Sequence, residues 1–236
     1  MSTQQMKTSI GLKLLFGSFI VIGLITTLSH YFAPRPSATA SSVDFFPIGP
    51  EWFLEQLPRY DLLPITTFLH LAPAGLFMLM LIFQLSQDLR KKWTKLHRIL
   101  GYIISILGIS FAISGFVLGV KIPFGGNVEL IASTIVAIIF LYTLYKGIFY
   151  ARAKKIKAHR IWMLRMVAVS FAPLSMRLIM IPIGFMQVIE MKSIFGLLLL
   201  TSAAINLIIL EIFILKKSQK LSHQFNEIKP IEVSTK

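Results

Sequence analysis

Long apolar runs, each bounded by charged or turn-forming residues, set the pattern of this chain. The runs reach about 20 residues, the length at which an α-helix crosses about 30 Å of hydrocarbon. Inside a bilayer the backbone must satisfy its own hydrogen bonds, so such runs indicate helices. The pattern therefore predicts an all-α, polytopic membrane bundle of six transmembrane helices. The predicted spans are residues 10–32, 63–86, 99–120, 128–150, 161–185 and 194–215.

The same pattern divides the chain into five parts. A loop between the first two spans carries Trp52, Phe53, Leu54 and Leu57, which we expect to form a short interfacial helix because aromatic residues favour the headgroup level. The predicted parts are a first transmembrane helix (1–32), this outside loop (33–62), a four-helix core (63–185), the sixth transmembrane helix (186–215) and a polar, mobile basic tail (216–236).

The charges of the chain predict how it is oriented. Charged residues make up 14% of the chain and apolar residues 55%, and the formal net charge is +14. Seventeen Lys and Arg residues fall on the side of the predicted termini, whereas the other side has only Arg35, Arg59, Lys121 and Lys192. By the positive-inside rule, both termini are predicted to be cytoplasmic, in the inner (plasma) membrane. The positive charge is then topogenic, so the expected partner is the lipid bilayer and not nucleic acid.

Several kinds of chemistry are excluded by residue type. The chain has no Cys, so it has no disulfide, zinc-thiolate site, iron–sulfur cluster or cysteine nucleophile. It has no Gly-rich phosphate loop, no His-Glu-x-x-His motif and no pair of carboxylates within a span. No catalytic residue and no enzyme class can be named from this sequence.

Two basic loops resemble each other and predict an internal repeat. Residues 90–99 align without gaps on residues 152–161, and six of the ten positions are identical, including a shared His-Arg-Ile. Convergence explains matched Lys and Arg but not a matched His-Arg-Ile. The alignment favours a parallel repeat of two helix hairpins, with His97 and His159 at equal depth.

Helical spacing places the candidate functional residues on particular faces. His97 is followed on one face of the third span by small residues only, a stripe that admits a close helix or, less often, a flat cofactor. In the second span His70 shares a face with Phe77 and Gln84. Arg177 lies deep in the fifth span, where a cation is expected to face the bundle interior near His70 or a polar cavity. The small stripe comprises Gly101, Ser105, Gly108, Ala112, Gly115 and Gly119.

These residues together resemble a known family. The segments Phe68-Leu-His70-Leu-Ala-Pro-Ala-Gly75, Leu96-His-Arg-Ile-Leu-Gly-Tyr102 and Ala158-His-Arg-Ile-Trp-Met-Leu-Arg165, with Gln84 and Arg177, resemble a bacterial multi-pass membrane family, domain of unknown function 2306. The resemblance covers roughly residues 63–185 and implies a helical core carrying the histidines and Arg177. It implies no activity. The layout is also similar to four-helix membrane cytochromes of the b type, a likeness of architecture alone.

Three functions fit these residues. The first is a b-type haem protein with redox function, in which His97 and His159, or His70, supply the axial nitrogens, and Met163 and Met166 pack on the macrocycle. The second is a protein that binds or transports an anionic lipid or small molecule through Arg98, Arg160 and Arg177. The third is a scaffold or accessory subunit. The first predicts a metal site at His97 and His159 and a redox partner, and the other two predict a colourless protein.

Overall fold

The computed structural model describes residue 59, residues 61–186 and residues 190–227. The predicted first span (10–32), the expected interfacial helix around Trp52 and most of the outside loop lie outside these residues. The described helices are α1 (Pro64–Leu85), α2 (Gln87–Lys92), α3 (Thr94–Lys121), α4 (Gly126–Arg152), α5 (Ile156–Ser170), α6 (Ala172–Met186) and α7 (Met191–Glu227).

Five stretches of the described chain are long and apolar enough to span a membrane: Pro64–Leu85, Thr94–Lys121, Gly126–Arg152, Ile156–Met180 and Met191–Lys216. They confirm the second to sixth predicted spans. Large apolar side chains such as Ile65, Ile106 and Ile138 are exposed on the outside of the bundle, as lipid contact requires. The protein is an integral, multi-pass membrane protein.

The last helix is longer than its apolar run. It continues past the predicted end at Leu215 to Glu227, so the first half of the expected mobile tail is helical. This extension contains three Lys and two Gln, which favour helix, and the next proline is Pro230. Apolar patterning marks the end of a span and not the end of a helix.

A proline inside α1 is compensated by the neighbouring helix. Pro64 begins α1, where its missing N–H has no cost, but Pro73 lies in the interior. Pro73 cannot donate to the carbonyl of Leu69, and the hydroxyl of Ser110 in α3 donates to that oxygen at 3.1 Å. The replacement bond ties α1 to α3 at this level.

The predicted fifth span is two helices with a break at Phe171. Pro173 lacks an N–H to continue the ladder, which explains the interruption. Asn206 of α7 donates its amide to the carbonyl of Ala168 at 3.1 Å and accepts from Ser175 at 3.0 Å. Asn206 thereby joins α7 to α5 and α6 at the break.

The helices pack as antiparallel neighbours. The most extensive contacts are between α1 and α3 and between α4 and α5, the two hairpins that the loop alignment relates. The repeat itself stays a prediction. We call the end with residues 90–98 and 152–160 the basic end and the opposite end the far end. One core cluster joins α1, α3, α4 and α5 through Phe77, Ile104, Phe140 and Met166, and a second joins α4, α6 and α7.

Candidate functional site

The small stripe of α3 receives three side chains of α1. A Cβ atom on Gly115 would lie 2.9 Å from His70 Nδ1, and one on Gly101 would lie 3.1 Å from Gln84 Nε2. Between them, a Cβ on Gly108 would lie 3.5 Å from Phe77 Cε2 and 3.1 Å from Phe140 Cζ. The three contacting residues of α1 are spaced seven residues apart, and so are the three glycines of α3 that they contact. Because the order of the glycines is reversed, the two helices are antiparallel. The stripe is a helix interface, and the alternative that a flat macrocycle lies on it is wrong.

His70 is held by the backbone of α3. Its Nδ1 lies 2.8 Å from the carbonyl oxygen of Phe111, and its ring meets the Phe111 ring edge-on at 6.4 Å between centroids. A carbonyl only accepts, so Nδ1 carries the hydrogen and Nε2 of the neutral ring carries the lone pair. Within the described residues Nε2 has no hydrogen-bond partner. His70 therefore presents a fixed acceptor nitrogen.

His159 has the same arrangement at the basic end. Its Nδ1 lies 2.8 Å from the carbonyl oxygen of Gly147 in α4, and this assigns the Nε2 lone pair in the same way. Because Gly147 has no side chain, the Met163 side chain of α5 packs directly against its backbone. A metal-binding histidine usually donates its other ring N–H to a carbonyl or carboxylate. The ring of His159 is thus held in one orientation, and whether it binds a metal stays a prediction.

His97 lies at the same end as His159, and its side chain has no hydrogen bond in the described part of the chain. Its Nδ1 is shielded from solvent and unpartnered, as is Oε1 of Gln84. Gly101, against which Gln84 packs, is one turn along α3 from His97. His97 is close enough to His159 and to Arg90 for their charges to interact. The two histidines that the loop alignment related therefore lie at the same end of the bundle, and their pairing stays a prediction.

The helices that carry these two histidines hardly touch. α3 packs on α1 and α4, and α5 packs on α4 and α7, but α3 and α5 make at most marginal contact. Both histidines lie at the basic end. No group of three or more His, Asp or Glu residues suited to a metal ion occurs within the described ranges.

The other predicted site residues divide between the two ends. Arg98 and Arg160 each follow one of the paired histidines and are exposed at the basic end, and Arg90 there is half-buried. Arg177 is half-buried, donates from Nη1 to the carbonyl of Pro173 at 3.0 Å and lies within electrostatic range of His70. That Arg177 faces the bundle interior near His70 or a polar cavity stays a prediction.

His70 and His97 cannot serve one cofactor. Gly115, which His70 contacts, is about 27 Å along α3 from His97 at 1.5 Å per residue. The alternative in which His70 replaces one of the paired histidines is therefore wrong. The expected packing of Met166 on a cofactor is also wrong, because Met166 is fully buried in the core.

Three aromatic rings separate the two ends. Phe77, Phe111 and Phe140 come from α1, α3 and α4, and their centroids lie 5.0 Å (Phe77–Phe111), 4.9 Å (Phe111–Phe140) and 6.1 Å (Phe77–Phe140) apart. Only Phe77 was singled out by helical spacing. Phe111 and Phe140 could not be identified in this way, because aromatic residues occur on many faces of these helices. This aromatic cluster forms an apolar layer between His70 and the paired histidines.

One ion pair within the spans differs from expectation. The sequence favours an ion pair of Glu211 with Lys216 or Lys217. It also favours an extended Arg165 side chain that places its charged group in water at the membrane edge. Instead, Arg165 Nε donates to Glu211 Oε1 at 2.6 Å and Nη2 donates to Oε2 at 3.1 Å. Arg165 also stacks over Trp162 at 4.6 Å. The pair joins α5 to α7.

Comparison with known proteins gives a family but no activity. A family model described as "Predicted membrane protein (DUF2306)" matches residues 67–214, which include all of the candidate site residues named above. No curated protein and no solved structure matches the chain.

Proposed function

The chain belongs to the DUF2306 family of predicted membrane proteins, and we propose that it is a membrane redox protein that binds one b-type haem between His97 and His159. The family name assigns no activity, so the proposal depends on the histidine pair. Haem when bound supplies one-electron transfer, and the protein supplies the ligands, their orientation and the surrounding charge.

The observation that carries the proposal is that His97 and His159 lie at the same end of the bundle, within electrostatic range of each other. The Nδ1 of His97 has no hydrogen-bond partner in the described part of the chain, and the Nδ1 of His159 is bound to a backbone carbonyl. Imidazole nitrogens are ligands of haem iron, so His97 and His159 would be the residues that hold the group.

The hydrogen bond of His159 supports a ligand role. Donation from Nδ1 to the Gly147 carbonyl fixes the ring and leaves the Nε2 lone pair for coordination. A side chain at position 147 would displace the end of the Met163 side chain, which lies one turn along α5 from His159. Gly147 is therefore a positioning residue for this ligand.

Charges at the basic end suit the edge of a haem. Arg98 and Arg160 are exposed next to the two histidines, and Arg90 is within electrostatic range of His97. Carboxylates pair well with guanidinium groups, and the two haem propionates need such partners. Arg98 and Arg160 would therefore be the residues that pair with the propionates of a bound haem.

A second function uses the same residues without a haem. Arg90, Arg98 and Arg160 surround the histidines with positive charge, and this favours an anionic lipid headgroup or another anion. A scaffold role requires neither ligand. Both of these alternatives predict a protein without visible absorption.

The test is a reduced-minus-oxidised absorption spectrum of the purified protein, expressed with ample haem supply. We expect b-type bands in the wild type and their loss in His97→Ala and in His159→Ala. The matched control is His223→Ala, the same substitution beyond the Met191–Lys216 span, which should keep the bands. Size-exclusion profiles in detergent separate loss of haem from loss of fold. A colourless, well-folded wild type would contradict the proposal.

A further inference from the structure

We propose a phospholipid site on the side of the bundle, where Lys146, Tyr142 and Trp162 bind the phosphate and ester groups of an anionic phospholipid. The site uses none of the residues assigned to the proposed haem, so binding there does not depend on that proposal. It lies in the half of the spans that is nearer the basic end. We call the five residues that form it the lateral patch: Tyr142 and Lys146 of α4, Trp162 and Arg165 of α5, and Glu211 of α7.

The lateral patch is one continuous row of contacts across three helices. Lys146 Nζ lies 5.6 Å from the centre of the Tyr142 ring, and that ring meets the Trp162 ring edge-on at 5.6 Å between centroids. Arg165 stacks over Trp162 at 4.6 Å and binds Glu211 through two hydrogen bonds. Because each side chain is held by its neighbour, little ordering is needed when a ligand binds.

The patch is accessible from the side of the bundle, near the level of the lipid ester groups. Tyr142 is 50% exposed, and Lys146 and Trp162 are half-buried. Lys146 and Trp162 are each about 9 Å along their helices from the basic end, at 1.5 Å per residue from Arg152 and Ile156. α4 is about 40 Å long, about 10 Å more than the hydrocarbon core, so this level is close to the boundary between acyl chains and headgroups. Tryptophan and tyrosine are enriched at that boundary.

One positive charge of the lateral patch has no anion within the part of the chain that the structure describes. The charge of Arg165 is matched by Glu211 at 2.6 Å. Lys146 has only its contact with the Tyr142 ring there, and none of its three N–H groups has an acceptor. A lysine near the end of a span normally extends into water, but this ammonium lies over a residue one turn deeper in α4. A cation at this depth needs an anion from outside the described helices.

The polar groups of the patch define that anion. The Lys146 ammonium and the indole Nε1 of Trp162 only donate, and the Tyr142 hydroxyl can donate. None of these three groups has a hydrogen-bond partner among the described residues. Donors beside one unmatched positive charge fit a phosphodiester and its neighbouring ester carbonyls, with the acyl chains continuing in the bilayer. A phosphoglycerol headgroup leaves its phosphate charge for Lys146, whereas the choline of a zwitterionic lipid neutralises that charge within the lipid.

The test is quenching of Trp162 fluorescence by phospholipids brominated in the upper part of their acyl chains. The chain has three tryptophans, and Trp52→Phe with Trp93→Phe leaves only Trp162. This full-length protein is placed in phosphatidylcholine vesicles that contain brominated phosphatidylglycerol or brominated phosphatidylcholine at equal mole fraction. We expect phosphatidylglycerol to bind about fivefold more tightly beside Trp162, which corresponds to about 1 kcal/mol for one basic residue near an anionic membrane surface.

Variants show whether Lys146 causes this preference. Lys146→Gln should lower the ratio to about one, and Lys146→Arg, which keeps the charge, should retain it. The matched control is Lys92→Gln, the same change at an exposed lysine of α2 at the same end, which should keep the fivefold ratio. Quenching by brominated phosphatidylcholine should be the same in every variant, since each then keeps its fold around Trp162.

Three outcomes would overturn the proposal. Equal quenching by the two lipids would mean that the patch contacts lipid without selecting its charge. A ratio that falls equally in Lys146→Gln and Lys92→Gln would mean that the basic end attracts anionic lipid as a whole. No quenching by either lipid would mean that protein covers the patch. The ratio compares two lipids on one preparation, so a colourless protein that selects phosphatidylglycerol supports this site while the haem proposal fails.

Discussion

The imidazole of His70 lies directly against Gly115, so close that a Cβ atom on the glycine would come within 2.7 Å of His70 Cε1. This contact is the far-end member of a series in which Phe77 meets Gly108 and Gln84 meets Gly101. The three pairs fix the register of α1 on α3. They also hold His70 where its Nδ1 reaches the Phe111 carbonyl.

The glycine stripe predicts unequal tolerance to larger residues. Gly108→Leu would push a side chain into Phe77 and Phe140, and over-packing of this kind costs about 1–3 kcal/mol. Ile109→Leu, at the next position and exposed to lipid, should change stability by much less. Unfolding of the two variants in mixed micelles gives the comparison. Equal stability would mean that the stripe is not a packed interface.

The Ser110–Leu69 bond predicts coupling between a serine and a proline. Ser110→Ala should lower the free energy of unfolding by about 1 kcal/mol, because the Leu69 carbonyl that Pro73 leaves without a donor then has none. In a Pro73→Ala background the new backbone N–H of residue 73 supplies that donor, so Ser110→Ala should cost little. A double-mutant cycle measures the difference. Strictly additive effects would contradict this account.

The ion pair between Arg165 and Glu211 predicts a similar cycle with larger effects. Removal of either partner, as Arg165→Gln or Glu211→Gln, leaves the other charge within a span and should destabilise by about 1–3 kcal/mol. The double variant should be more stable than the sum of the single changes predicts, since no charge is then left alone. Lys216→Gln, which the sequence favoured as a partner of Glu211, should have little effect.

The membrane spans could be predicted from the sequence, whereas the contacts between helices could not. Apolar runs predicted the second to sixth spans because burial in lipid requires length and composition that are visible locally. Helical spacing also placed His70, Phe77 and Gln84 on one face and the glycines of α3 on another. It could not show that these faces meet, and Glu211 was assigned to nearby lysines because its true partner, Arg165, is distant in sequence.

The histidine pair was predicted by a different kind of signal. The hydrophobic pattern gives no reason to relate His97 to His159. The alignment of their two loops relates them, because both histidines occupy the same position of the aligned segments. The hydrogen bonds that orient His70 and His159 were not predictable, because carbonyl acceptors are present at every residue. Only the helix packing selects Phe111 and Gly147 among them.

The predicted orientation has its own test. The distribution of Lys and Arg places both termini and the basic end in the cytoplasm. Reporter fusions at Ser41 and at Lys236 should therefore label opposite sides of the membrane. A fusion in the turn at Lys154, where the backbone reverses between α4 and α5, should agree with Lys236. Labelling of Ser41 and Lys236 on the same side would contradict the six-span arrangement.

The central claim is that His97 and His159 hold one haem, and the most direct test is the haem content per chain of purified protein. We expect one haem per chain in the wild type and nearly none in His97→Ala or His159→Ala, with His70→Phe close to the wild-type value because His70 lies at the other end of the bundle. No haem in a folded wild type, or full occupancy in both paired-histidine variants, would contradict the account.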